Sequence, residues 1–190
     1  MTTIYFVRHA LPDYSNPHDA TMNLTAIGRE DAVKVSQLLQ TVVFDDCVSS
    51  PYKRTLQTIE PLAAAQNLTV RLDRRLRERE RGVIGDHEDG LLKQRWQDFN
   101  FAEPGGESLG HLQQRVSAAI DDVLKREPDG TVLVSTHGAA LAMIINTFNS
   151  DFRYADFMRI KNFTPYVLKM TINKYREIVT QEELLSVNHG

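Results

Sequence analysis

At 190 residues, with 42% hydrophobic and 25% charged side chains, the chain fits one globular domain with a core large enough to need neither disulfides nor structural metals. A net charge of −3 argues against a nucleic-acid binder, and a single cysteine, Cys47, excludes an intrachain disulfide and argues against a cysteine-based zinc site. With a first strand expected almost at residue 3 and no apolar run approaching the ~20 residues that span a bilayer, the expectation is a soluble cytoplasmic protein without a secretion signal or membrane partner, either monomer or homodimer.

The predicted elements alternate. Residues 4–7 read as a buried strand ending in Arg8-His9-Ala10. Thr25 is placed to cap a helix whose apolar positions are Ala32, Val35, Leu38, Leu39 and Val42. A second strand covers 46–49. Ser50-Pro51 then reads as a helix start, with Leu56, Ile59, Leu62 and Ala63 inward and Pro61 predicting a kink or an end near Glu60. A third strand spans 69–72. Residues 73–90 are charged and read as loop with short helical pieces, followed by a helix over 91–99.

Ser108 caps a helix to about residue 126 whose apolar face is Leu112, Val116, Ala119, Ile120 and Val123. A β-branched strand at 131–136 ends at His137-Gly138 before a helix at 139–148. After a helical segment at 154–160, residues 166–172 and 176–179 form a closing hairpin. This order predicts an α/β fold of three layers, α/β/α, with a mostly parallel central sheet.

Three strand-to-helix junctions each present a residue suited to binding phosphate. The first carries Arg8 and His9, the second Arg54 in the first turn of its helix, and a later one His137. Parallel strands deliver such junctions to one sheet edge, where open α/β sheets place ligands. Arg54 adds a fork of donors to a positive helix end.

At this point the chain resembles the histidine phosphatase superfamily, also called phosphoglycerate mutase-like. The matching segments are Val7-Arg8-His9-Ala10, Leu24-Thr25-Ala26-Ile27-Gly28 and Ser49-Ser50-Pro51-Tyr52-Lys53-Arg54-Thr55-Leu56-Gln57-Thr58. They continue with Leu76-Arg77-Glu78, Gly105-Gly106-Glu107-Ser108 and Thr136-His137-Gly138. The resemblance implies a single phosphoglycerate mutase-like domain over residues 1–190, with a lid-like segment at about 79–107. It also implies His9 as nucleophile, a phosphate pocket of Arg8, Arg54 and His137, and Glu78 as acid/base, with Glu80 its rival. No metal or other cofactor is called for, because guanidinium groups can stabilise the transferring phosphoryl group.

Two positions depart from the family pattern. Ala10 stands where glycine is usual, which predicts a negative φ there. The family's loop asparagine has its nearest counterpart in Asn16, one step beyond the usual place, and Asn16 is carried forward as a substrate-binding candidate. Trp96 is the second such candidate, on the rim or in the core under the lid. The arginine-rich stretch of Arg71, Arg74, Arg75, Arg77, Arg79 and Arg81 reads first as a solvated surface paired with Glu78, Glu80 and Asp73, and the alternative places one or two of its members at the site entrance to attract an anionic substrate. His18, His87 and His111 are expected on the surface.

The reading favours a metal-independent phosphomonoesterase that hydrolyses a small phosphorylated metabolite through a phosphohistidine. Mutase-type phosphoryl transfer, phosphohistidine removal from proteins and a non-catalytic phospho-ligand module remain as alternatives. Mutases of this family carry a longer cover and a C-terminal tail that closes over the site. Here the span from Glu78 to Gly106 is short, and the residues after Val179 lack clamp character.

Overall fold

Apolar side chains alternate along the central strands, so the sheet must be covered on both faces. On β1 (Thr2–Arg8), Ile4 and Phe6 face one layer while Tyr5 and Val7 face the other. The computed structural model describes residues 1–83 and 88–190. After β1 the chain runs through α1 (Ala26–Leu39), β2 (Asp46–Ser49), α2 (Lys53–Gln66) and β3 (Val70–Leu72). It continues through α3 (Glu88–Gln97), α4 (Leu109–Arg126), β4 (Thr131–Thr136) and α5 (Gly138–Phe148). The last elements are α6 (Tyr154–Ile160), β5 (Phe163–Ile172) and β6 (Ile178–Asn188).

The six strands lie in the order β3-β2-β4-β1-β5-β6. The four from β3 to β1 pair in parallel, and β5 pairs antiparallel with both β1 and β6. One face packs Val35 and Leu39 of α1 and Ile59 and Leu62 of α2 against Tyr5, Val7, Leu133 and Val167. The other packs α4, α5 and α6 against Ile4, Phe6, Val132, Val134 and Leu168. The expected three-layer α/β/α fold with a mostly parallel sheet is therefore present.

Several local features differ from expectation: α1 ends at Leu39, short of Val42, α3 covers Glu88–Gln97 rather than 91–99, and β5 starts at Phe163. Helix α2 begins at Lys53, with Tyr52 as its N-cap, because the Ser50 hydroxyl is held in a local turn accepting from the Tyr52 N–H. It also continues through Pro61 to Gln66, since burial of Ile59, Leu62 and Ala63 on both sides of the proline offsets the missing hydrogen bond. Leu38 faces solvent, being one position off the buried stripe of α1. Finally, the tail after Val179 is a long edge strand rather than the end of a short hairpin. Its far end is fixed by His189, whose Nε2 lies 2.8 Å from the fully buried Asp31 of α1.

Between β1 and α1, residues 11–24 form a loop closed at its base. Pro12 and Leu24 form an isolated bridge, the Asp13 N–H donates to the Asn23 carbonyl, and the Thr25 N–H donates to the Leu11 carbonyl. The Thr25 hydroxyl caps α1 by accepting from the Gly28 N–H. A Cβ at Gly28 would stand 2.3 Å from the Leu11 carbonyl oxygen, so this motif glycine is there for close backbone approach. Gly28→Ala should therefore lower unfolding stability by about 1–3 kcal/mol, read from urea denaturation midpoints.

Candidate active site

The parallel register sets the site. Arg8 of β1 lies opposite Thr136 of β4, and Ser49 of β2 lies opposite Ser135 of β4. Pairing extends one residue past the strands, as the His9 N–H donates to the Thr136 carbonyl and the Ser50 N–H to the Ser135 carbonyl. His9, Ser50 and His137 thus leave the sheet together at its C-terminal edge. Ala10 is fully buried, its N–H donates to the Thr58 hydroxyl, and its φ is not positive, as expected.

Hydrogen bonding fixes both imidazoles as distinct tautomers. The His9 Nδ1 sits 2.8 Å from the Ala10 carbonyl, which can only accept, so Nδ1 carries the proton and Nε2 keeps its lone pair. An Arg54 Nη2 lies 2.9 Å from the His137 Nδ1, and a guanidinium can only donate. The His137 Nδ1 is therefore the acceptor, and its Nε2–H donates to the Ser50 hydroxyl at 2.9 Å. The rings of His9 and His137 meet edge to face, 5.3 Å between centroids. Burial first, and then the Arg54 charge, hold both histidines well below the usual imidazole range, so both are neutral.

Arg8 lies flat against the backbone of Gly138. A Cβ there would come within 2.8 Å of the guanidinium carbon, so the glycine after His137 makes room for the arginine. The Arg8 Nη1 donates to the carbonyls of Ile160 and Lys161 at the end of α6, while its buried Nε–H has no partner among the described residues. Burial lowers the Arg8 pKa from its ordinary value, and the nearby Glu78 opposes that shift.

Glu78 reaches the N-terminus of α5. Its Oε1 accepts from the N–H groups of Arg79 and Ala140, and its Oε2 accepts from Ala139. Its rival Glu80 is exposed and does not line the cavity. The segment holding Glu78 is itself held by Arg115 of α4, which donates to the carbonyls of Arg75, Arg77 and Glu78 and forms a two-pronged pair with Glu107. Nothing in the residue pattern singled out Arg115, because an arginine in a long amphipathic helix looks like surface charge. Its match to the Glu in Gly105-Gly106-Glu107-Ser108 was the available signal.

A cavity of about 700 Å³ is lined by Arg8, Glu78 and Gly138, while His9, Arg54 and His137 are not among its lining residues. Leu92, Trp96, Tyr154 and Phe157 form an apolar wall, and Arg79, Arg81, Arg95 and Lys161 add positive charge. Of the arginine-rich stretch, Arg81 lines the cavity from an exposed position and Arg79 lines it while buried against Glu103, whereas Arg71 pairs with Asp46 and Arg75 with Asp73 and Asp122. Trp96 lines the cavity but is 7% exposed, packed among Phe99, Phe152 and Phe157.

Asn16 is not brought to the cavity. Its side chain is spent within the loop, accepting from the His18 N–H and lying near the Thr21 hydroxyl. A different residue of that loop, Asp19, makes the contact, with Oδ1 2.9 Å from the Arg54 Nη1. His18 and His111 are exposed as expected, and His87 lies outside the described residues.

Residues 4–182 match the family model of the histidine phosphatase superfamily, branch 1. Among curated relatives, "Probable phosphoglycerate mutase GpmB" of Enterobacter sp. (strain 638) is 31% identical over 176 residues, spanning 85% of this chain and 82% of the relative. The protein of the same name from Salmonella choleraesuis is 30% identical over 160 residues, spanning 77% of this chain and 74% of the relative. Among solved structures, a mycobacterial glucosyl-3-phosphoglycerate phosphatase bound to VO3 has a TM-score of 0.79 at 21% identity, covering 98% of this chain and 99% of its own. A phosphoserine phosphatase mutant from Entamoeba histolytica has a TM-score of 0.77 at 17% identity, covering 95% and 96%. These two likenesses establish the fold.

The tautomer assignment is directly measurable. Long-range proton–nitrogen correlation spectra at pH 6 should show both buried histidines neutral, His9 with its proton on Nδ1 and His137 on Nε2. Because both pKa values are depressed in the folded state, the unfolded chain binds more protons as pH falls below about 6.5, and stability should decline from there toward acid. Replacing His137 with glutamine should reduce that decline.

Proposed function

The chain belongs to the histidine phosphatase superfamily, and within it we propose a phosphomonoesterase that hydrolyses a small phosphorylated metabolite through a phosphohistidine at His9. The observation that carries this reading is the pinned tautomer of His9. Its Nδ1–H is spent on the Ala10 carbonyl, which leaves an unprotonated Nε2 within the field of the buried Arg54 and the half-buried Arg8.

In the first half-reaction the Nε2 lone pair attacks phosphorus and the ester P–O bond breaks. Arg8 and Arg54 balance charge on the equatorial oxygens, with Arg54 held in place by His137. The departing alkoxide takes a proton from Glu78, which holds one once the negative charge of the bound phosphate lies beside its carboxylate. In the second half-reaction Glu78 accepts a proton from water as its oxygen attacks phosphorus. The P–N bond breaks, and inorganic phosphate and neutral His9 result. The guanidinium groups supply the charge stabilisation that a divalent ion gives elsewhere, so the proposed activity needs no added metal.

Water access favours hydrolysis over transfer. Among the described residues, none after Lys161 lines the cavity, since the C-terminal segment is committed to β6 at the sheet edge. The relatives named as mutases keep phosphoryl transfer as the second reading. It predicts that, with 3-phosphoglycerate and a trace of 2,3-bisphosphoglycerate, 2-phosphoglycerate would form far faster than free phosphate. The phosphatase reading predicts that free phosphate dominates.

Rapid quench into alkali after mixing with a labelled phosphate ester should leave base-stable, acid-labile label on the wild type and none on His9→Ala. Label retained by that variant would rule out His9 as the nucleophile. Glu78→Gln should lose roughly 10²–10⁴-fold in kcat/KM on alkyl phosphates and much less on p-nitrophenyl phosphate, whose leaving group hardly needs a proton. Equal losses on both substrates would remove the acid role from Glu78.

A further inference from the structure

Arg54 already holds an anion in this structure. Its Nη1 donates to the Asp19 carbonyl at 2.6 Å and pairs with the Asp19 carboxylate at 2.9 Å, while its Nη2 is taken by His137. The two partners differ sharply in burial. The Arg54 side chain is 4% exposed and held by His137, whereas the Asp19 side chain is 50% exposed. We propose that Asp19 is a built-in competitor for the phosphoryl group, a carboxylate that substrate must displace from Arg54 and that returns to help expel inorganic phosphate. The inference rests on the phosphate role assigned to Arg54 above.

The loop is built for such an exchange. Its base is closed by the Pro12–Leu24 bridge and by the bonds joining Asp13 to Asn23 and Leu11 to Thr25. Its tip is exposed from residue 17 to 21, and Asp19 opens a single 3-10 turn that buries no side chain. Asp19 can therefore swing into solvent without disturbing the core. A phosphoryl dianion on Arg54 would sit next to the carboxylate, and like charges at that spacing repel, so both cannot share the guanidinium at full strength. Phosphate affinity is lowered for substrate and product alike. For a hydrolase that must release phosphate on every turnover, weak product binding is useful.

The opposite role is a scaffold in which Asp19 merely orients Arg54 for phosphate, and the two differ in sign. If Asp19 competes, Asp19→Asn and Asp19→Ser should tighten competitive inhibition by inorganic phosphate roughly three- to tenfold and lower KM for p-nitrophenyl phosphate in step. The tightening should shrink in high salt as the wild-type ion pair is screened. Unchanged or weaker phosphate inhibition in both variants would overturn the proposal while leaving the phosphatase reading intact. Titration calorimetry with inorganic phosphate separates the two failures. A wild type that binds phosphate no more tightly than Arg54→Ala does would remove the phosphate role of Arg54 and the competitor with it.

Discussion

Parallel pairing of β4 with both β1 and β2 is the constraint on which this site depends. The register that sets Arg8 beside Thr136 and Ser49 beside Ser135 leaves no freedom in where the next residues emerge. A one-residue slip would turn Ile4 and Phe6 out of one core and Tyr5 and Val7 out of the other, so hydrophobic burial on both faces enforces the register. The site inherits that precision. His9 and Ser50 are positioned by backbone bonds that continue the ladder, and His137, which follows Thr136, is tied through its ring to Ser50 and Arg54.

The same crowding explains the protonation states. Two guanidinium groups near two imidazoles make a protonated ring costly, and burial removes the water that would otherwise soften the repulsion. The arginines are in turn satisfied by different means. Arg8 draws on carbonyls at the end of α6, where the helix carries partial negative charge, and Arg54 draws on Asp19. The nitrogens that Arg8 gives to these carbonyls and Arg54 gives to His137 are held in place before a ligand arrives, which limits the reorganisation needed during phosphoryl transfer.

Much of this was legible in the sequence because the informative residues sit at chain positions with a fixed meaning. Arg8, His9 and His137 follow short β-branched or aromatic strands, and Gly28 and Gly138 mark close approaches that a Cβ would block. Features set by tertiary partners were not legible. Pro61 gave a local signal for a helix end, but burial of Leu62 and Ala63 beyond it carried the helix on. Asn16 had the chemistry of a ligand but is consumed by its own loop, while Asp19 carries no motif and reaches Arg54 only because the loop folds back. The residues after Val179 alternate weakly, with glutamates on an exposed edge, so their strand became evident only from pairing with β5.

The cover over the cavity shows how shape and chemistry are tied in one element. Glu103 is buried between Arg79 and Arg95, pairing with both. Such a buried charge triad is poor stabilisation, since the desolvation of three ions consumes most of the Coulombic gain. Its value lies in geometry. Arg95 belongs to α3, beside the apolar wall at Trp96, while Arg79 directly follows Glu78 and also donates to the Glu107 carbonyl. Displacing α3 would pull on Glu103, then on Arg79, and so on the carboxylate bonded to the start of α5. In the proposed chemistry the wall that meets the substrate alcohol and the group that protonates it are therefore parts of one hydrogen-bonded body. An alcohol that fits the wall badly would disturb its own proton donor, which makes selectivity a matter of turnover as much as of binding.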